Sequence, residues 1–199
     1  QTGSKNPVTI TMDGDKTITA EFIEFVQVTL PFTEDFETDY DSFWTATYKS
    51  LPGDPTVPMY FAHSGSAKMS ITDGVLYISD ARFSIGELPP NTETTGSDTT
   101  TNGVFDLSKP YKISFKIVSV TGSGKNLQVY IDNNTTGAAN SIHGQSSRIY
   151  SEKVENLTVG ETLEIESSVG TESSFICLRV ESGVTVGIDD LKIEYQTEE

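Results

Sequence analysis

Acidic side chains gather near both ends of the main part of the chain. Glu34, Asp35 and Glu37 lie close together in sequence, and Asp189 and Asp190 are adjacent near the C-terminus. Because the first and last strands of a β-sandwich commonly pair or lie side by side, we expect these carboxylates to approach one another. Like charges repel at close range, so the cluster needs a cation or must stay solvated. Oxygen-only ligands favour calcium over zinc or copper, and a set of merely exposed acids is the alternative.

A second candidate group combines basic and aromatic side chains. Strand periodicity assigns six such residues to faces turned away from the core: Lys112, Lys116, Tyr130, Arg148, Tyr150 and Arg179. Arginine presents a planar fork to a carboxylate, lysine a point charge, and tyrosine an apolar ring with a hydroxyl at its rim. The set suits a galacturonate chain lying across a sheet face. The alternative is an ordinary solvated strand face, whose lysines also deter edge pairing.

Two long polar stretches, 87–103 and 133–147, are predicted loops, and ordered loops of this length are often functional. The second mixes amide, hydroxyl and imidazole groups that suit a hydroxyl-rich ligand. Asn140 and His143 within it are therefore candidate ligand-binding residues. Trp44 could stack on a sugar, but its near-alternation with neighbouring residues favours a place in the core.

Catalytic chemistry has little support in the sequence. The chain has two histidines, His63 and His143, and no G-x-S-x-G motif. A Ser-His-Asp triad is spatial and stays open. Glu164 and Glu166 could supply paired carboxylates, but the E-x-D-x-x-E pattern expected of a sandwich-fold glucanase is absent. We expect no enzyme activity, with a small polysaccharide lyase or hydrolase as the alternative.

Composition narrows the function classes. The 199 residues carry 13 basic and 29 acidic side chains, a formal charge of −16. This balance disfavours nucleic acid and anionic membrane surfaces as partners. A lone cysteine, Cys177, excludes an internal disulfide framework and a cysteine-based zinc cluster. No apolar run is long enough to span a bilayer, and the first residues lack a signal-peptide pattern. We expect a monomeric piece of a longer, soluble protein.

Period-two alternation predicts an all-β fold. No segment shows a convincing helical stripe, and Asp73-Gly74 predicts a turn that opens a strand. Many short strands joined by such turns indicate an antiparallel sandwich or barrel. The predicted strands are 26–30, 43–49, 75–78, 111–117, 127–131, 148–150, 162–166, 175–180 and 188–195.

The N-terminal segment differs from the rest. Asn6 to Phe22 (NPVTITMDGDKTITAEF) resembles the closing hairpin of bacterial repeats related to the internalin B-repeat. The resemblance implies that residues 1–26 are the tail of an upstream repeat and that the main domain spans 27–199.

The two ends of the main domain resemble jelly-roll carbohydrate-binding modules. Leu30 to Glu37 (LPFTEDFE) is similar to their opening strand, and Gly187 to Ile193 (GIDDLKI) to their closing strand. In that group a structural calcium ion joins an early glutamate to a late aspartate. The resemblance implies Glu37 and Asp190 as ligands, with Glu34, Asp35 and Asp189 as further candidates.

A narrower resemblance concerns 128–144 together with Ser147-Arg148. This stretch is similar to a module attached to some secreted bacterial pectate lyases. It implies a secreted, non-catalytic module that targets a catalytic domain in the same polypeptide to plant or algal cell-wall glycan, with pectic homogalacturonan favoured. A neutral β-glycan, or a cell-surface adhesion or spacer role, is the alternative.

Overall fold

The computed structural model describes residues 27–37, 49–50, 59–63, 69–85, 103–131 and 148–197. The N-terminal repeat tail (1–26), Trp44, nearly all of the first polar loop, and the second loop with Asn140 and His143 lie outside the described residues. None of the described residues forms a helix with the length and hydropathy needed to cross a membrane.

The described residues form ten strands and one 3-10 turn, Val154–Asn156. In chain order the strands are β1 (Phe32–Glu34), β2 (Lys49–Ser50), β3 (Met59–His63), β4 (Met69–Thr72), β5 (Val75–Ile85), β6 (Tyr111–Thr121), β7 (Asn126–Ile131), β8 (Arg148–Lys153), β9 (Thr162–Ser167) and β10 (Ile176–Tyr195).

The long strand β10 organises the sheet, because it pairs antiparallel with four other strands. Its first part, Ile176–Val180, lies between β5 and β7. Its middle part, Thr185–Ile188, lies between β5 and β6. Its last part pairs with β6 on one side and with β1 on the other. β8 extends the sheet beyond β7, and β9 extends it beyond β6.

β5 and β10 are both irregular at the point where their pairing shifts. The register of β10 against β5 shifts between Val180 and Thr185. Asp80 of β5 and Gly183 of β10 adopt left-handed backbone conformations there, with φ of 47° and 93°. Bulges of this kind let a strand pass from one layer of a sandwich into the other.

The main hydrophobic core of the described residues lies between the two halves of the sheet. It takes Leu127 and Val129 from β7, Ile113 and Phe115 from β6, and alternate residues all along β10. Phe83 meets Phe36 edge-on, with ring centroids 5.9 Å apart. The predicted all-β, antiparallel sandwich is confirmed.

Several strand boundaries differ from the prediction; β5, expected at 75–78, runs to Ile85. The segments 175–180 and 188–195, expected as separate strands, belong to β10, which continues through the bulge. The strand expected at 26–30 is reduced to one isolated bridge from Val28 to Phe105. Pro31 has no N–H to donate, and the regular strand begins directly after it at Phe32.

Candidate functional site

Three of the predicted binding residues lie on one face of neighbouring strands. Arg148 of β8 is directly opposite Tyr130 of β7, which is directly opposite Cys177 of β10. Arg179 follows two residues after Cys177, so it points to the same side of β10. We call this surface of β8, β7 and the first part of β10, opposite the main core, the arginine face.

Gln128 lies at the centre of the arginine face. It is the direct cross-strand partner of Arg179, and its Oε1 accepts hydrogen bonds from Arg179 Nη1 and from the Tyr130 hydroxyl, both at 2.8 Å. Arg179 Nη1 also lies 3.8 Å from Glu181 Oε1. Glu181 is held by the backbone N–H of Asn126, which donates to its Oε2 at 2.9 Å.

Tyr130 differs from its predicted role as a surface ring. It is 2% exposed and forms a second buried cluster with Phe175 and Cys177, on the side of the sheet opposite the main core. Alternation correctly assigned Tyr130 to the side away from the main core, but it did not predict that Tyr130 is buried. Tyr130 therefore contributes its hydroxyl, through Gln128, rather than an open stacking surface.

Tyr150 lies on the opposite side of β8 from Arg148, where simple alternation had placed the two together. The register of β8 against β7 shifts, so that Arg148 faces Tyr130 while Tyr150 faces Val129. Tyr150 packs against the main core, and its burial raises the pKa of its hydroxyl, with Glu152 adding to the rise. Tyr150 is not part of the arginine face.

The two predicted lysines lie on a different part of the sheet. Lys112 and Lys116 belong to β6, which neighbours the later part of β10 rather than β7. Lys112 Nζ donates to Glu164 Oε1 at 2.9 Å and lies 3.8 Å from Glu194. These carboxylates, Glu164 first, raise the pKa of Lys112. Lys116 is exposed and lies opposite Asp189 on β10.

The predicted metal ligands come from the paired first and last strands. β1 pairs with β10 so that Glu34 faces Leu191, next to Asp190. Glu34 accepts a hydrogen bond from the Phe36 N–H at 2.7 Å, and burial raises the pKa of its carboxyl. Asp189 Oδ1 accepts from the Asp190 N–H at 2.6 Å, and Asp35 Oδ1 from the Glu37 N–H at 3.2 Å.

Carboxylate oxygens are the right donors for calcium, which takes six to eight oxygen ligands. Within the described ranges, however, no group of three or more Asp, Glu, His or Cys side chains is arranged to hold a metal ion. Calcium also takes backbone carbonyl and water oxygens, and the calcium site stays a prediction.

Sequence reasoning did not single out Gln128 as a functional residue. Its signal was present in the pattern, because Gln128 is a polar residue at an outward position between core residues Leu127 and Val129. The sequence alone did not show that β7 pairs with β10, which places Gln128 opposite Arg179.

No protein-family model and no curated protein matches the chain. Among solved structures, it is similar to the N-terminal CBM22-1 and GH10 modules of a Clostridium thermocellum xylanase complexed with xylohexaose (13% identity, 82% of this chain, TM-score 0.37), and it spans 28% of that chain. The CBM22-1 xylan-binding domain of a Paenibacillus barcinonensis protein matches over 87% of this chain and 99% of its own, with 12% identity and a TM-score of 0.35.

An adhesin domain of Lys-gingipain from Porphyromonas gingivalis is similar to the same degree. It has 10% identity, matches 85% of this chain and 100% of its own, and has a TM-score of 0.38. The structures similar to this chain thus include both carbohydrate-binding modules and an adhesin domain. The function of this chain has to be argued from its own residues.

Proposed function

We propose that this chain is a non-catalytic polysaccharide-binding module of a secreted bacterial protein. Its role would be to hold a catalytic domain of the same polypeptide on plant or algal cell-wall glycan, which raises the local concentration of that domain. The ligand we favour is a polyuronate, pectic homogalacturonan. The observation that carries the proposal is the arginine face, with Arg148 and Arg179 on one side of neighbouring strands.

The spacing of the two arginines suits an extended acidic chain. They are separated by two interstrand spacings, about 10 Å, and by two residues along the strands, about 7 Å. At that distance they would bind different carboxylates of one polymer. Arginine is suited to this because its planar guanidinium can donate two parallel hydrogen bonds to a carboxylate.

The overall charge of −16 opposes an acidic ligand, but salt screens it beyond about 8 Å at physiological ionic strength. The charges close to the binding residues therefore matter more than the net charge of the chain. Lys112 donates to Glu164 at 2.9 Å, whereas Arg179 Nη1 lies 3.8 Å from Glu181, so Arg179 is better placed than Lys112 to bind a further carboxylate. The arginine face also suits a polyuronate better than a neutral β-glycan, because the buried Tyr130 offers no open ring for stacking.

Affinity electrophoresis tests the proposal. Wild-type protein should be retarded in gels containing polygalacturonate, less in gels of heavily methyl-esterified pectin, and least in xylan or β-glucan gels. Arg148→Ala should weaken the retardation by polygalacturonate. Lys125→Ala is the matched control, since it removes the same charge from an exposed position between β6 and β7.

The other outcomes contradict the proposal in distinguishable ways. Retardation by xylan or β-glucan alone would favour the neutral-glycan alternative. No retardation by any polymer would favour the adhesion or spacer role. Release of unsaturated uronides, seen as new ultraviolet absorbance, would identify a lyase.

A further inference from the structure

Gln128 is a buried polar residue whose orientation is fixed by its partners. It is 3% exposed, and one atom, Oε1, accepts both of its hydrogen bonds. Arginine has only donors, so the amide oxygen, and not the nitrogen, must face Arg179. The amide of Gln128 therefore cannot be flipped without placing its N–H groups against the guanidinium.

This orientation leaves an excess of donors on the arginine face. Within the part of the chain that the structure describes, Gln128 Nε2 has no hydrogen-bond acceptor. The guanidinium of Arg179 has five N–H donors, of which one is used by Gln128. A buried donor without a partner costs free energy. A negatively charged ligand group with several acceptors would satisfy the remaining donors of Arg179, whose side chain is 27% exposed, whereas Gln128 is buried beneath them.

Gln128 also fixes Arg179 without neutralising it. A buried glutamate at the same position would form an ion pair with the guanidinium, whereas the amide oxygen is neutral. Glu181 lies 3.8 Å from Arg179, which is longer than a hydrogen bond, and its other oxygen is occupied by the Asn126 N–H. The side chain of Arg179 is 27% exposed, so a ligand can reach it.

We infer that Arg179 and Gln128 form a carboxylate subsite that distinguishes a free uronate from its methyl ester, an inference that rests on the proposed function. Arg179 binds the carboxylate. Gln128 is a positioning residue that holds the guanidinium and the Tyr130 hydroxyl in place. A methyl ester is neutral and bulkier than a carboxylate. It therefore lacks the negative charge and one of the two charged oxygens that the guanidinium would bind.

The test measures affinity against the degree of methyl-esterification of the pectin in the gel. Gln128→Glu supplies an internal carboxylate that competes for Arg179. We expect its affinity for unesterified polygalacturonate to fall about tenfold or more, the usual size of a lost charge-assisted hydrogen bond, and its dependence on esterification to flatten. Lys125→Ala, which lowers the net charge by the same amount, should keep both properties. Thermal unfolding and circular dichroism establish that each variant is folded.

Two further variants keep the inference testable if a buried glutamate prevents folding. Gln128→Met retains the volume but releases Arg179, and Arg179→Lys retains the charge but removes the fork. Both should bind polygalacturonate with reduced discrimination against the ester. The inference is overturned if folded Gln128 and Arg179 variants keep the wild-type dependence on esterification while wild-type protein binds polygalacturonate. Absence of wild-type binding would instead overturn the proposed function itself.

Discussion

Arg148 and Tyr130 are direct cross-strand partners on β8 and β7. The register shift that follows turns Tyr150 to the other side of the sheet, against the main core. As a result, a basic side chain lies next to a buried ring whose hydroxyl is held by Gln128. The packing on both sides of β7 thereby fixes the strands that carry Arg148 and Arg179, which a precise carboxylate site requires.

The core contribution of Phe83 is the first prediction. Phe83 is fully buried and packs edge-on against Phe36, so Phe83→Ala should create a cavity. The expected loss is about 3–5 kcal/mol in the free energy of unfolding, measured by urea denaturation. Val159→Ala is the control, because Val159 is 56% exposed and should change the value little. Equal effects of the two variants would contradict the assigned core.

The hairpin between β4 and β5 provides a second prediction. Asp73 and Gly74 both have positive φ, 50° and 72°, as the two central residues of a type I′ hairpin turn require. Gly74→Ala should destabilise the protein by about 1–2 kcal/mol from backbone strain alone. An added Cβ would also lie 2.5 Å from Glu37 Oε1.

Gly160→Ala separates the cost of backbone strain from the cost of the contact with Glu37. Gly160 also has a positive φ, 93°, but nothing lies within 4 Å of its added Cβ. Gly74→Ala should therefore cost more than Gly160→Ala in thermal unfolding. Adding Glu37→Ala to Gly74→Ala should recover the difference. Identical costs for the two glycines would show that the flexible Glu37 side chain moves away from the added Cβ at no cost.

The acid dependence of stability is the third prediction. Asp106 Oδ1 accepts the Ser108 hydroxyl at 2.6 Å and the Ser108 N–H at 3.0 Å, and these bonds lower the pKa of Asp106. A carboxyl with a lowered pKa in the folded state adds stability above its unfolded pKa, about 3.9. That stability is lost as the pH falls through the folded value.

Ser108→Ala should move the pKa of Asp106 back towards its ordinary value and weaken this part of the acid dependence. The measurement is the ¹³C shift of the Asp106 carboxyl as a function of pH, with melting temperatures recorded over the same range. An Asp106 that titrates in the ordinary range in wild-type protein would refute the prediction.

The calcium hypothesis yields the fourth prediction. An ion that binds only the folded state raises the melting temperature, and a chelator reverses the effect. Glu34 faces the end of β10 beside Asp190, so Glu34→Gln should reduce the calcium-dependent shift. Glu172→Gln, at an exposed position, should retain it. A wild-type melting temperature unaffected by calcium or chelator would remove the ion from the account.

Strand alternation could predict the fold wherever the strands are regular. In β6, Ile113 and Phe115 enter the core while Lys112 points away, as the period requires. The prediction failed at the bulges, since one extra residue reverses every later side chain of a strand. Tyr150 was misplaced for this reason, and the bulge after Val180 concealed the continuity of β10.

The candidate site was only partly predictable because it depends on long-range pairing. Arg148, Tyr130 and Arg179 were correctly assigned to the side away from the core, but the sequence did not indicate which strands are neighbours. β10 changes partner from β7 to β6 along its length, which separates the lysines of β6 from the arginine face. Alternation predicts which side of the sheet a side chain lies on, but not how exposed that side chain is. The burial of Tyr130 was therefore not predicted.

Amide NMR of ¹⁵N-labelled wild-type protein titrated with oligogalacturonate tests the central claim most directly. We predict saturable shifts concentrated at Gln128 and Tyr130 of β7, at Arg148 of β8 and at Arg179 of β10, with Lys112 of β6 unaffected. No saturable shift, or shifts centred on β6 and β9, would contradict the claim that the arginine face binds a polyuronate.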